Sequence, residues 1–61
     1  MNRYDMARAV QNSEHADGRA RDNASKVVLA ESIGLPINRG IEANVRNAYT
    51  RLAHNGKIIP V

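Results

Sequence analysis

Residues 41–55 read Ile-Glu-Ala-Asn-Val-Arg-Asn-Ala-Tyr-Thr-Arg-Leu-Ala-His-Asn, and this stretch carries the clearest structural signal in the chain. Its apolar residues recur at the spacing of an α-helix, so that they share one face. The members of this stripe are Ile41, Val45, Ala48 and Leu52, with Tyr49 beside them. The pattern predicts an amphipathic helix over about 41–55, closed by Gly56, because a glycine just beyond a helix accepts a positive φ at little cost.

The opposite face of this predicted helix is polar and largely basic. It carries Arg39, Glu42, Arg46, Asn47, Thr50 and His54, with Arg51 at its margin. A solvated surface explains such a face, and so does a surface that contacts a polyanion. Both interpretations stay open at this point.

Two further helices are predicted upstream. One covers about 3–14, where Asn2 can cap the first turn with its side-chain oxygen. The other covers about 23–33, with Asp22 or Asn23 as its cap and Gly34 just beyond its end. Its core face is expected to contain Ala24, Val27 and Val28, widened by Leu29, Ala30 and Ile33, while Leu35 and Ile37 of the following loop turn inward.

The remaining segments connect or follow these helices. Residues 13–21 are polar and contain the turn-forming pair Asp17-Gly18, so we expect a solvated connection that can be mobile. Residues 57–61 are apolar and β-prone, and they can form one short strand or an extended arm, with Pro60 restricting a strand to a sheet edge. The expected fold is therefore all-α, one domain over 1–61 of three short helices, with a short C-terminal β segment as an option.

Composition narrows the function classes. The chain has 61 residues, 9 basic and 6 acidic side chains, a net charge of +3 and no cysteine. A basic balance suits a polyanionic partner, although a charge of this size is also ordinary for solubility. No targeting signal and no apolar run of membrane-spanning length is visible, so we expect a soluble, cytoplasmic protein.

The sequence contains no motif for catalysis and no ligand spacing for a metal ion. His15 and His54 stand far apart without a ligand pattern, whereas a zinc site needs about four ligands at suitable spacing. The serines lack a nucleophile motif, and the glycines mark helix ends and form no phosphate-binding loop. We therefore expect no enzyme activity, no metal and no cofactor.

Two stretches resemble winged helix-turn-helix DNA-binding domains, in particular those of gluconate-repressor-type transcription factors. Residues 29–36, Leu-Ala-Glu-Ser-Ile-Gly-Leu-Pro, resemble the positioning helix and its turn, and residues 45–58 resemble the recognition helix and the start of the wing. The resemblance implies that the third helix lies in the major groove of double-stranded DNA. It implies base contacts by Arg46, Asn47 and Thr50, and phosphate contacts by Arg39, Arg51 and Lys57.

Two other interpretations remain. The thin core and the apolar tail, with Ile58, Ile59 and Val61, also suit a small accessory or inhibitor that docks on a larger host or assembly protein. In the DNA-binding interpretation we expect a homodimer, because small scaffolds with a thin core often gain stability from oligomerisation. The chain could also be a component of a larger particle that orders residues 1–21 only on assembly.

Overall fold

The structure, a computed structural model, describes residues 2–58. Three α-helices follow one another along the chain: α1 (Arg3–Asn12), α2 (Gly18–Ile33) and α3 (Arg39–His54). Each helix packs against the other two, and no strand occurs in the described range, which confirms the all-α prediction. Lys57 and Ile58 are not part of a strand, and the rest of the predicted β segment, Ile59 to Val61, lies outside the described residues. No helix in this range combines the length and apolar character needed to cross a membrane.

Each helix begins at a side chain that caps its free amides. Asn2 accepts from the Asp5 amide at 2.9 Å, as the sequence predicted. Asp17 accepts from the Ala20 amide at 2.8 Å and so starts α2. Asn38 accepts from the amides of Gly40 and Ile41 at 2.7 and 3.3 Å, which places the start of α3 two residues earlier than predicted.

The predicted start of α2 was wrong by five residues. The helix begins at Gly18, and its cap is Asp17 rather than Asp22 or Asn23. The physical reason is a stripe of alanines, because Ala20 and Ala24 are buried in line with Val27. Residues 18–21, predicted as part of a solvated connection, therefore form the first turn of a helix.

The interior is built largely from small side chains. Among the described residues, the buried apolar cluster consists of Ala7, Val10, Ala16, Ala20, Ala24, Val27, Val45, Ala48 and Leu52. Ile37, Ile41, Tyr49 and Ile58 pack against it while partly exposed. The apolar stripe predicted for α3 is thus confirmed.

Three large apolar side chains expected in the core lie at the surface instead. Leu29, Ile33 and Leu35 are 60%, 58% and 55% exposed. The face of α2 that meets the other helices is set by Ala20, Ala24 and Val27, and Leu29 and Ile33 stand on a different side of the same helix. Ile37 does pack on the core, but Leu35 does not turn inward.

Two glycines close helices as predicted. Gly34 has φ +74° and ends α2, and the next amide, that of Leu35, donates to the Ala30 carbonyl at 2.9 Å. Gly56 has φ +68° after α3, and the Lys57 amide donates to the Leu52 carbonyl at 2.8 Å. This left-handed conformation is one that residues with a Cβ rarely adopt.

The turn between α1 and α2 is held by polar contacts around Ser13, which is buried. Its hydroxyl donates to the Lys57 carbonyl at 3.1 Å and accepts from the His15 amide at 3.2 Å. Arg21 donates to the carbonyls of Ser13 and Ala16 at 2.9 and 3.2 Å. The Ser13 bond joins the turn to the segment that follows α3, and the bonds from Arg21 join it to α2.

Candidate nucleic-acid interface

Packing of α3 fixes which of its side chains reach solvent. Val45, Ala48 and Leu52 are buried, so the residues on the far side of the helix face outward. The exposed polar side chains of α3 are Arg39, Arg46, Asn47, Thr50, Arg51 and His54. We refer to Arg46, Asn47 and Thr50 as the α3 polar face.

Within the α3 polar face, the three side chains differ in how firmly they are held. The Thr50 hydroxyl donates to the Arg46 carbonyl at 2.9 Å, which fixes its orientation and leaves its oxygen to accept. Asn47 makes no side-chain hydrogen bond to any residue in the range 2–58. Its carboxamide can therefore donate and accept at once toward an outside partner.

Arg46 lies beside the single acidic residue of α3. Its Nη2 atom is 3.6 Å from Glu42 Oε1, one helical turn away. The other carboxylate oxygen, Oε2, accepts from Arg3 Nη1 at 2.7 Å. Arg3 also binds Glu31 of α2 through its Nε atom. We call Arg3, Glu31 and Glu42 the Arg3 cluster.

The Arg3 cluster connects the start of α1 to both other helices. The hydrogen bond from Arg3 is the main reason that the pKa of the Glu42 carboxyl is lowered, while partial burial acts in the opposite direction. The bonds to Glu42 and then to Glu31 raise the pKa of Arg3. Arg3 and Glu42 are therefore both charged near neutral pH, and the positive charge of Arg3 offsets the negative charge of Glu42.

The cations predicted to contact phosphates are all at the surface. Arg39 opens α3, Arg51 lies on its last turns, and Lys57 follows the helix. None of the three forms an ion pair with an acidic side chain in the described part of the chain. The structure thus leaves their charges open to a polyanion, and it places Arg39 and Arg51 on the same helix as the α3 polar face.

An open groove of about 790 Å³ runs between α2 and α3. Asn23 donates to Asn44 at 3.0 Å across it, which joins the two helices by side-chain amides. Arg19 and Lys26 stand on the α2 side, and Asp22 lies 3.8 Å from Lys26. The groove is polar, and it adds two cations next to α3 that the sequence argument did not include.

A smaller cavity of about 420 Å³ lies where α1 ends and the chain leaves α3. Arg8, Asn12, His15, Lys57 and Ile58 are among its lining residues. Ile58, predicted as part of a partner-binding tail, is half-buried and packs on the core. The other two residues of that prediction, Ile59 and Val61, lie outside the described residues.

Acidic and histidine side chains do not gather into a metal site in residues 2–58, where no three of them come together. His15 lies 3.6 Å from Glu14, its sequence neighbour. His54 lies on the exposed side of α3.

Sequence reasoning missed the Arg3 cluster. The spacing of Glu42 and Arg46, one helical turn apart, is a recognisable signal for an ion pair. Arg3, however, stands 28 and 39 residues from its two partners, so nothing in the local pattern connects them.

Comparison of the chain with protein-family models, with curated proteins and with solved structures found no match.

Proposed function

We propose that this protein binds double-stranded DNA through α3, as a small regulatory protein. The observation that carries the proposal is the α3 polar face, where Arg46, Asn47 and Thr50 project from a helix whose other side is buried. Exposure alone would also suit a plain solvated surface. DNA binding is favoured because arginine, asparagine and threonine are residue types that recognise base edges.

The chemistry of the α3 polar face matches the major groove, which admits an α-helix. An arginine can donate two hydrogen bonds to guanine, and an asparagine can pair in the same way with adenine. From residue 46 to residue 50 the helix rises about 6 Å, at about 1.5 Å per residue, so the face can reach neighbouring base pairs.

The surrounding charges support binding to a phosphate backbone. Arg39 and Arg51 flank the α3 polar face without an acidic partner in the described range, and Lys57 follows the helix. Neutralising phosphates releases bound counterions, so the affinity should fall steeply with salt. The net charge of +3 acts in the same direction.

The test is a duplex-DNA titration of the wild type and of Arg46→Ala/Asn47→Ala at two salt concentrations. We expect salt-sensitive binding and a loss of about tenfold or more in the variant, because each good base contact contributes about 1–3 kcal/mol. Arg8→Ala/Asn12→Ala is the matched control, since it removes one charge and one amide from exposed positions of α1. Equal losses in both variants, or no binding at low salt, would contradict the proposal.

A second candidate function is docking on a larger protein. The observation that favours it is the exposed apolar group Leu29, Ile33 and Leu35, since neighbouring exposed apolar residues often mark protein interfaces. Leu29 and Ile33 stand one turn apart on α2, and Leu35 follows directly after Gly34.

Leu29→Ser/Ile33→Ser separates the two functions. If the protein docks through this group, a purified partner should bind the double variant at least about tenfold more weakly than wild type, because buried apolar anchors dominate such interfaces. If the protein acts through α3, duplex binding should survive the same double variant. Unchanged partner binding would remove the docking role of this group.

A further inference from the structure

Glu42 is shared between two arginines with different roles. Its Oε2 atom accepts from Arg3 Nη1 at 2.7 Å, a short charge-assisted hydrogen bond. Its Oε1 atom is 3.6 Å from Arg46 Nη2, too far for a good hydrogen bond. Glu42 is therefore bound mainly to Arg3, and Arg46 is only loosely held.

This division affects the surface that would meet DNA. A carboxylate beside the α3 polar face repels phosphates and competes with them for the Arg46 guanidinium. The competition is weaker when the carboxylate already binds another arginine. Arg3 supplies that second arginine from a different helix, and Glu31 on α2 holds Arg3 in place from the other side.

We propose that Arg3 is a positioning residue for nucleic-acid binding: by binding Glu42, it offsets the carboxylate charge and leaves the Arg46 guanidinium available to DNA. This inference rests on the proposed function. It assigns the first residue of α1, which lies outside the α3 polar face, a role in the affinity of that face. It also explains why an acidic residue at position 42 is compatible with a DNA-binding helix.

A purely structural role is the competing explanation, since Arg3 also ties α1 to the other two helices. The two roles differ in what happens when Glu42 loses its charge. If Arg3 only holds the helices together, removing Glu42 as well cannot repair the loss of Arg3. If Arg3 offsets the Glu42 charge, removing that charge makes Arg3 dispensable for binding.

The experiment compares duplex affinity at low salt for wild type, Arg3→Met, Glu42→Gln and the double variant Arg3→Met/Glu42→Gln. We expect Arg3→Met to weaken binding about fivefold, the scale set by unit charges about 4 Å apart in water. The double variant should bind at least as tightly as wild type. Glu14→Gln is the control, because it removes the same charge from an exposed carboxylate outside the Arg3 cluster, so its affinity should stay within about twofold of wild type.

The outcomes separate the two proposals. A double variant as weak as Arg3→Met, with helicity by circular dichroism equal to wild type, would overturn the role of Arg3 and leave duplex binding standing. Absence of salt-sensitive binding by the wild type would overturn both. A second measurement is hydrogen exchange of the Arg46 guanidinium by NMR in the free protein. It should slow in Arg3→Met as Glu42 turns to Arg46, and an unchanged rate would also overturn the inference.

Discussion

At the scale of single residues, Glu42 is a carboxyl group whose protonation affects how the helices meet. Arg3 binds it from α1, and Arg46 stands one turn away on α3. Because the pKa of Glu42 is lowered in the folded chain, folding favours the charged carboxylate. This bond therefore stabilises the protein above the pKa of the unfolded chain, and the contribution disappears as the pH falls through the folded pKa.

We expect Glu42→Gln to lower the melting temperature at about pH 6 and to lose this effect in acid, since the unfolded carboxyl titrates near its ordinary pKa of 4.5. The measurement is thermal unfolding by circular dichroism between neutral pH and about pH 3. Glu14→Gln serves as the control, because Glu14 is exposed and pairs with its neighbour His15 at 3.6 Å. A difference from wild type that persists undiminished in acid would contradict the assignment.

Gly34 is a residue whose identity the backbone requires. An added Cβ would meet nothing within 4 Å, so the cost of Gly34→Ala comes from the positive φ of 74° and not from a clash. We expect a loss of about 1–2 kcal/mol in the free energy of unfolding, measured by urea denaturation.

Gly18→Ala is the matched control, because Gly18 is helical and its Cβ position is equally open. This change should be neutral or stabilising by up to about 1 kcal/mol. Equal losses in the two variants would mean that the conformation of Gly34 is not the cause.

At the scale of helices, the sequence predicts correctly those helix faces and helix ends that a strong apolar period or a clear capping residue encodes. The face of α3 is found as predicted, because its apolar stripe contains Ile, Val and Leu. The start of α2 was missed, because Ala20 and Ala24 give a weak apolar signal and Asp17-Gly18 resembles a turn. The prediction that Leu29 and Ile33 lie in the core was wrong for the same reason. The Arg3 cluster could not be predicted from the sequence, because its members meet only through the packing of all three helices.

Substitutions at the cap of α2 directly test whether the helix begins at Gly18. Asp17→Ala should cost about 1 kcal/mol in the free energy of unfolding, because the Ala20 amide loses its acceptor. Hydrogen exchange at residues 18–21 should become faster in the same variant. Asp22→Ala, at one of the two positions predicted as the cap, should change stability by less than about 0.5 kcal/mol. A larger cost for Asp22→Ala than for Asp17→Ala would indicate that α2 begins at the later position that was predicted.

At the scale of the whole molecule, the three helices enclose a core of mostly alanine and valine. Such side chains let helix axes approach closely, but each buries little apolar surface. The stability of a chain this short is therefore expected to be modest. Polar links between helices, such as Asn23 with Asn44 and Arg3 with its two glutamates, then specify how the helices align.

A core of this kind should tolerate added volume poorly. Ala24 is fully buried, and Ala24→Val should cost about 1–3 kcal/mol, because extra methyl groups force neighbouring helices apart. Ala43→Val, at an exposed position of α3, should cost about 0.5 kcal/mol through helix propensity alone. Chemical denaturation of both variants measures the difference, and similar costs would indicate that the core has spare room.

The hydrogen bond from Ser13 to the Lys57 carbonyl has a practical consequence for labelling the protein. It anchors the chain after α3 beside the end of α1, whereas Arg3 lies at the beginning of that helix. A fluorophore placed beside Ser13, for example at the exposed Glu14, is thus held at the opposite end of α1 from Arg3. Tethering through the N-terminus would instead put the attachment two residues from Arg3. Binding assays on labelled protein should therefore carry the label beside Ser13 and not at the N-terminus.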